Sequence, residues 1–276
     1  DAVDFFPDFT WIKCRDAGEK HFLMDAIRGN VDIDSASDSK WLISNTNEAE
    51  GNGGGHIEGT TVSSVQNGIK IVETSIGSGE IYFTNRNYVT WNWKGGGSAS
   101  SNGDGSTTSS VSANTSAGFS IVTYTGTGSN ATVGHGLGVA PKCFIVKRRD
   151  STGDWAVYHH GMGTYGMQLN STGAQANEPW WNGHPTSSVI NLKTSATVNG
   201  SSNTYVAYVF SEVAGYSKFG SYEGNQNADG TFVFLGFTPA WIMIKNADNG
   251  SNRQWCIIDA TRTTFNKSAS AEVLFA

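Results

Sequence analysis

The chain repeats one pattern three times, and this limits what it can fold into more than any other feature. Phe6-Pro7-Asp8-Phe9-Thr10-Trp11-Ile12-Lys13 is echoed by Ala140-Pro141-Lys142-Cys143-Phe144-Ile145-Val146-Lys147 and by Thr238-Pro239-Ala240-Trp241-Ile242-Met243-Ile244-Lys245. Each copy is a proline, one spacer, four mostly apolar residues and a lysine, with an aspartate three positions on (Asp16, Asp150, Asp248). A second apolar run follows at 21–25, 155–159 and 255–259, and the first and third runs continue to Arg28 and Arg262 at one offset. Gly118-Phe119-Ser120 and Gly215-Tyr216-Ser217 precede the second and third copies. Tyr88-Val89-Thr90-Trp91-Asn92-Trp93 and Tyr205-Val206-Ala207-Tyr208-Val209-Phe210 close the first and second. Self-similarity at this length predicts related domain-sized units, not a short-period solenoid.

Pro141 to Pro239 spans 98 residues and Pro7 to Pro141 spans 134. The excess falls in a Gly/Asn stretch near Glu50–Gly59 and in a Gly/Ser/Thr tract, which reads as a flexible linker. The frame divides the chain into residues 1–93, a first unit lacking its opening hairpin; the linker 94–117; a complete second unit 118–214; and residues 215–276, the first half of a third. Two readings of that last part stand: a half unit alone, or the hairpin that completes unit one. The missing pieces, and a start at Asp1, lead us to expect a slice of a longer tandem array.

Composition sets the fold class. Gly, Ser, Thr and Asn make up 114 of 276 residues, while 32 are aromatic and only 15% are charged. Such a chain is poor in helix formers and rich in strand and turn formers, yet its apolar content can fill a core. Within 118–214, short strands are predicted at 119–125, 131–137, 142–149, 154–160, 165–169, 187–192 and 204–211. The expectation is an all-β protein of tandem antiparallel β-sandwich or jelly-roll units.

Net charge −6 argues against nucleic acid as a partner, since phosphate backbones are gripped by clustered cations. The one basic cluster, Lys147-Arg148-Arg149, is followed at once by Asp150 and reads as a solvated strand end. No apolar run is long enough to span a bilayer, so no membrane insertion is expected. Cys14, Cys143 and Cys256 are odd in number and unrelated in spacing, which fits neither a disulfide framework nor a zinc site.

The words Val133-Gly134-His135-Gly136-Leu137-Gly138-Val139-Ala140-Pro141, Val146-Lys147-Arg148-Arg149-Asp150 and Asp154-Trp155 resemble a domain of unknown function found in tailed-phage proteins, often in tandem and in tail fibres. Gly215-Tyr216-Ser217-Lys218-Phe219-Gly220-Ser221-Tyr222 and Asp259-Ala260-Thr261-Arg262-Thr263-Thr264-Phe265-Asn266 resemble the same family, and copy one does so more loosely. The resemblance implies a concanavalin-like or SPRY-type sandwich, a place in the virion, and no defined catalytic residues.

A search for chemistry turns up little. His159 and His160 are adjacent, so in a strand they point to opposite faces and cannot join His184 on one metal. Asn225–Gly230 begins like a calcium loop but has Gly236 where a bidentate glutamate is required, and Asp32-Ile33-Asp34 with Asp38 fails similarly. G-x-S-x-G and H-E-x-x-H are absent. The E-x-D-x-x-E strand signature of one group of sandwich-borne glycosidases is missing, and Glu73 and Glu80 read as turn or edge residues before they read as catalytic carboxylates. Asp25 with Arg28, and Asp259 with Arg262, read as structural ion pairs. No cofactor and no metal are expected.

Binding has one candidate. Glu178-Pro179-Trp180-Trp181-Asn182-Gly183-His184-Pro185 puts two indoles beside amide and imidazole groups in a predicted loop. Trp180, Trp181, Asn182 and His184 therefore form the candidate ligand site, with sugar faces stacking on the indoles. The competing reading is that a tryptophan here caps the core. The sequence points to a non-enzymatic phage structural segment, in a tail fibre or another surface-exposed part of the virion. It would contact host-surface polysaccharide, neighbouring repeat units or virion proteins, with homo-oligomers possible. A bacterial lectin or adhesin and a polysaccharide-degrading enzyme are the alternatives.

Overall fold

The computed structural model describes residues 3–29, 40–51, 60–73, 86–251, 253–262 and 273–276. Copy one forms β1 (Phe9–Cys14), β2 (Phe22–Asp25), β3 (Leu42–Ile43), β4 (Thr60–Val65), β5 (Gly68–Glu73) and β6 (Tyr88–Trp93). Next come β7 (Ser100–Asn102), β8 (Ser109–Asn114), β9 (Phe119–Thr125), β10 (Ala131–Gly134), β11 (Cys143–Arg148), β12 (Ala156–His159), β13 (Met167–Gln168), β14 (Val189–Leu192) and β15 (Thr204–Phe210). Copy three contributes β16 (Trp241–Ile244), β17 (Cys256–Asp259) and β18 (Leu274–Phe275). The protein is all-β, and every pair of these strands is antiparallel.

The repeat in sequence is a repeat in register. Phe9 pairs with Asp25, Cys143 with His159 and Trp241 with Asp259. On the other side, Phe9 faces Trp93 and Cys143 faces Phe210, so Trp91 and Tyr208 occupy one position of the repeat. The third strands also agree: Leu23 faces Leu42, Val157 faces Met167 and Ile257 faces Leu274.

Strand alternation then decides the packing. The seven-stranded sheet runs β13-β12-β11-β15-β9-β8-β7. Its Phe144, Val146, Tyr205, Ala207 and Val209 face a core shared with the β10–β14 pair, while Ile145, Val206 and Tyr208 face the opposite way. The four-stranded sheet β3-β2-β1-β6 sends Ile12, Phe22 and Met24 toward β4–β5, and Phe9, Trp11, Leu23 and Trp91 toward the seven-stranded sheet. The β16-β17-β18 sheet adds Ile257 and Leu274, with Trp241 and Met243 against them, to that same central core. Equivalent faces of all three copies thus bury one another, the residue of each pleat deciding its side.

This arrangement changes how two segments read. The tract 94–117, expected as a flexible linker, carries β7 and β8, which extend the seven-stranded sheet through β9. Its hydroxyls are no obstacle because they are bonded: Ser109 Oγ donates to Gly134 O at 2.9 Å and Ser112 Oγ to Gly97 O at 2.8 Å. Residues 215–222 turn back onto copy two, where Phe219 O meets His160 Nε2 at 3.2 Å and the Phe219 ring meets Phe210. The strands of copy three join neither larger sheet by backbone pairing; they dock on both through side chains.

Candidate functional site

The Trp-Trp loop precedes β14 and is tied to it. Asn182 N donates to Asn191 O, Lys193 N donates to Trp180 O, and Trp181 bridges to Leu192. Those bonds turn both indoles inward: Trp180 is 3% exposed and Trp181 1%. Trp181 meets Phe144 edge-on at 4.9 Å and Tyr158 at 6.0 Å. Gly166 stands where copy one has Trp41, and a Cβ there would lie 2.4 Å from the Trp180 ring, so Trp180 fills space that this glycine leaves. The sugar-stacking expectation is corrected on this point: burial removes both indole faces from solvent, and they serve as core. Asn182 and His184 remain exposed; His184 Nδ1 lies 2.9 Å from Tyr158 Oη, and Asn191 Nδ2 donates to His184 O.

His159 and His160 lie with their rings 4.9 Å apart, and not on opposite faces as expected, because β12 ends at His159 and the chain turns at His160; His184 does not join them. His159 Nδ1 accepts from Gly161 N, His160 Nε2 meets Phe219 O, and His184 sits on Tyr158. Burial lowers His159 to a pKa of about 4, with His160 adding repulsion. Among the described residues no group of three or more His, Cys, Asp or Glu could hold a metal. His56, Glu80 and Asp32–Asp38 lie outside the described residues, as does the side chain of Glu73.

Where charge is concentrated, it sits at the seams between copies. Asp25 and Arg28 clasp each other: Arg28 N donates to Asp25 Oδ1 at 3.0 Å and Arg28 Nε to Oδ2 at 2.5 Å, with both side chains fully buried. Asp259 and Arg262 repeat the clasp at 3.0 and 2.6 Å. Each receives an aromatic donor from another copy: Tyr208 Oη reaches Asp25 Oδ2 at 2.8 Å, and Trp91 Nε1 reaches Asp259 Oδ2 at 3.1 Å. Glu50 then bridges Arg28, at 3.3 Å, to Arg149, at 2.6 Å. Burial pulls the Arg28 guanidinium down, but Asp25, Tyr208 and Glu50 outweigh it and hold the charge in place. Copy two has His159 and Met162 at the clasp positions, and so no clasp.

The repeated lysine and aromatic share this role. Trp155 Nε1 donates to Ile43 O at 2.9 Å, and Trp255 Nε1 donates to the equivalent Gln168 O at 2.9 Å. Lys147 Nζ, on a side chain with 0% exposure, donates to Arg148 O and Gly153 O at 2.9 Å and to Asn47 O at 3.4 Å. Lys245 Nζ donates to Thr172 O at 2.9 Å, the position matching Asn47. Glu50 N bonds to Arg149 O and Gln175 N to Ala247 O, both at 2.8 Å. Copy two thus docks on copy one by the same bonds that dock copy three on copy two, and Trp91 closes the ring onto copy three. Burial lowers Lys147 to a pKa of about 8. Lys13 is lowered to about 8 in the same way; it bonds His21 of its own copy, and His21 is pushed down to about 3, chiefly by burial.

An open cleft of about 420 Å³ lies between Phe6, Asp8, the Lys94–Gly97 turn and Ala113–Thr115. Burial raises the Asp8 carboxyl, and the N–H groups of Gly95 and Gly97 pull against that. The repeated lysines and the Asp–Arg offset were visible in sequence; their partners were not, because Tyr208 lies 183 positions from Asp25.

A family model described as a domain of unknown function (DUF7483) matches residues 1–275, across all three copies. No curated protein and no solved structure matches the chain.

Proposed function

We propose that the chain, which belongs to the DUF7483 family over residues 1–275, is a non-enzymatic structural segment of a tailed-phage virion, in a tail fibre or related appendage. The observation that carries this reading is the fate of the repeated charged and aromatic motifs. Asp25, Arg28, Lys147, Trp155 and Tyr208 are buried in the seams and bonded to one another or to backbone carbonyls. Residues committed in this way stabilise a rigid block and leave little for chemistry. The resemblance of its repeat words to phage tail proteins, and to concanavalin-like sandwiches, points in the same direction. Contact with host-surface polysaccharide, as part of this proposal, falls to Asn182 and His184, since their tryptophan neighbours are core.

Mass spectrometry of purified particles of the phage that encodes the chain tests the reading. It expects the chain at several copies per particle, accessible to surface labelling. Recovery from the soluble lysate alone, with none in the particle, rejects it.

A further inference from the structure

One buried carboxylate takes no part in the repeated bonds between copies. Asp8 is 5% exposed, yet it stands where copies two and three carry Lys142 and Ala240, so the bonds that dock one copy on the next do not account for it. Among the described residues no ion pair and no side-chain donor meets its carboxylate; only the N–H groups of Gly95 and Gly97, and the Lys94 charge, act on it. A carboxylate offers about four acceptor positions, and two N–H groups leave about two of them for a ligand. Burial without those partners is costly, which favours an occupant that donates hydrogen bonds.

Asp8 borders the open cleft of about 420 Å³, a volume in the range of small-molecule sites. The opposite wall is fixed. Gly96 N donates to Ser112 Oγ at 2.9 Å, Ser112 Oγ to Gly97 O at 2.8 Å, and Asn114 Nδ2 to Lys94 O at 3.1 Å. Gly95 lets this wall close on Asp8, since a Cβ there would lie 3.1 Å from the Asp8 Cβ. Groups held in this way need little ordering when a ligand binds. An aromatic ring (Phe6), a hydroxyl (Thr115) and an ammonium (Lys94) complete the lining.

This set of groups discriminates between ligands. An anion is repelled by the Asp8 carboxylate, and an apolar molecule strips that carboxylate of water. A metal ion finds one carboxylate beside an ammonium, and among the described residues no group of three ligands. A saccharide satisfies every group: adjacent hydroxyls donate to Asp8, a further oxygen accepts from Lys94, and the C–H face of the ring packs on Phe6. We propose that the cleft binds one sugar residue of a polysaccharide, held by the Asp8 carboxylate. The proposal rests on the reading of the chain as a surface part of the virion that touches host polysaccharide, and it gives that contact a second place, formed by residues other than Asn182 and His184.

Amide NMR of the intact chain, titrated with the methyl glycosides of glucose, galactose, mannose, rhamnose and N-acetylglucosamine, is the test. At least one glycoside should shift the Gly95 and Gly97 signals saturably, with a Kd on the order of 1 mM. Its ring protons should show nuclear Overhauser contacts to the Phe6 ring, which identifies the cleft without any substitution. Asp8→Asn keeps the shape and removes the charge, and should weaken binding about tenfold or more. Shifts confined to Asn182 and His184 overturn this proposal and leave the polysaccharide reading standing. No shift at Gly95 and Gly97 with any glycoside overturns it too, as does a response there to free glycine alone, which marks a site for a zwitterion. So does a glycoside that Asp8→Asn binds as tightly as wild type. Particle mass spectrometry decides the virion reading independently of all these outcomes.

Discussion

Tyr208 Oη donates to Asp25 Oδ2 at 2.8 Å, and Trp91, which holds the same position one repeat earlier, donates to Asp259 Oδ2 at 3.1 Å. One position of the repeat thus docks on one Asp–Arg clasp twice, each time in a different copy. The copies are held together by a rule, and the rule can be tested.

Tyr208→Phe removes one donor from a fully buried carboxylate, and should cost about 1–3 kcal/mol. Asp25→Ala leaves Arg28 buried without its main counter-charge and should cost roughly 3–5 kcal/mol. Urea unfolding of the two single variants and the double variant gives the coupling energy. If Tyr208→Phe costs as much in an Asp25→Ala background as in the wild type, the two side chains act independently.

Trp181→Ala empties a site walled by Phe144 and Tyr158 and should destabilise by about 3–5 kcal/mol. Asn182→Ala, on the surface, should change stability by no more than ~0.5 kcal/mol. Thermal denaturation separates the two directly. A Trp181→Ala variant as stable as wild type would place the indole outside the core.

Gly96→Ala would put a Cβ 2.4 Å from Ala113 O, and Gly105→Ala one 2.3 Å from Thr132 O. Both contacts are with backbone, so the strands must separate, and each change should destabilise by roughly 1–3 kcal/mol. A flexible tether would accept alanine at either place. Unchanged denaturation midpoints for both would restore the linker reading of 94–117.

Acid should unfold the protein from about pH 6.5 downward. His21 and His159 are held neutral by burial, with folded pKa values of about 3 and about 4 against an ordinary 6.5. The unfolded chain therefore binds more protons between those limits, and stability falls as pH falls through that window. His21 carries the larger part, on the order of a few kcal/mol, because it is the more deeply buried of the two. Lys147 acts at the other end: its folded pKa of about 8 lies below an ordinary 10.5, so its cost is fully present below pH 8 and is relieved as pH rises above it. Stability curves from pH 4 to 9 for wild type, His21→Gln and Lys147→Met read both slopes. Parallel curves for wild type and His21→Gln would rule out His21 as the acid trigger.

The strands of copy two were legible because each is a short apolar run between turn residues; β9, β11 and β15 fall within a residue or two of their expected ends. The seams were not legible. Nothing local marks Ile43 O as the acceptor for Trp155, or tells a tryptophan loop on the surface from Trp180 and Trp181 in the core. Composition misled at 94–117, where Ser and Thr have sheet partners that their own neighbours do not reveal.

From the sequence alone came the all-β class, the repeat and the residues that recur in it, since strand period, turn chemistry and self-similarity are local properties. The tertiary structure alone decided that the recurring residues are mutual partners. Each copy has one apolar strand face that it cannot bury by itself, and it buries that face against the other copies. The charged groups on the same face must then find their counter-charges and carbonyls across the seam, because a buried charge left without a partner costs about 3–5 kcal/mol, a large part of a total stability of about 5–15 kcal/mol.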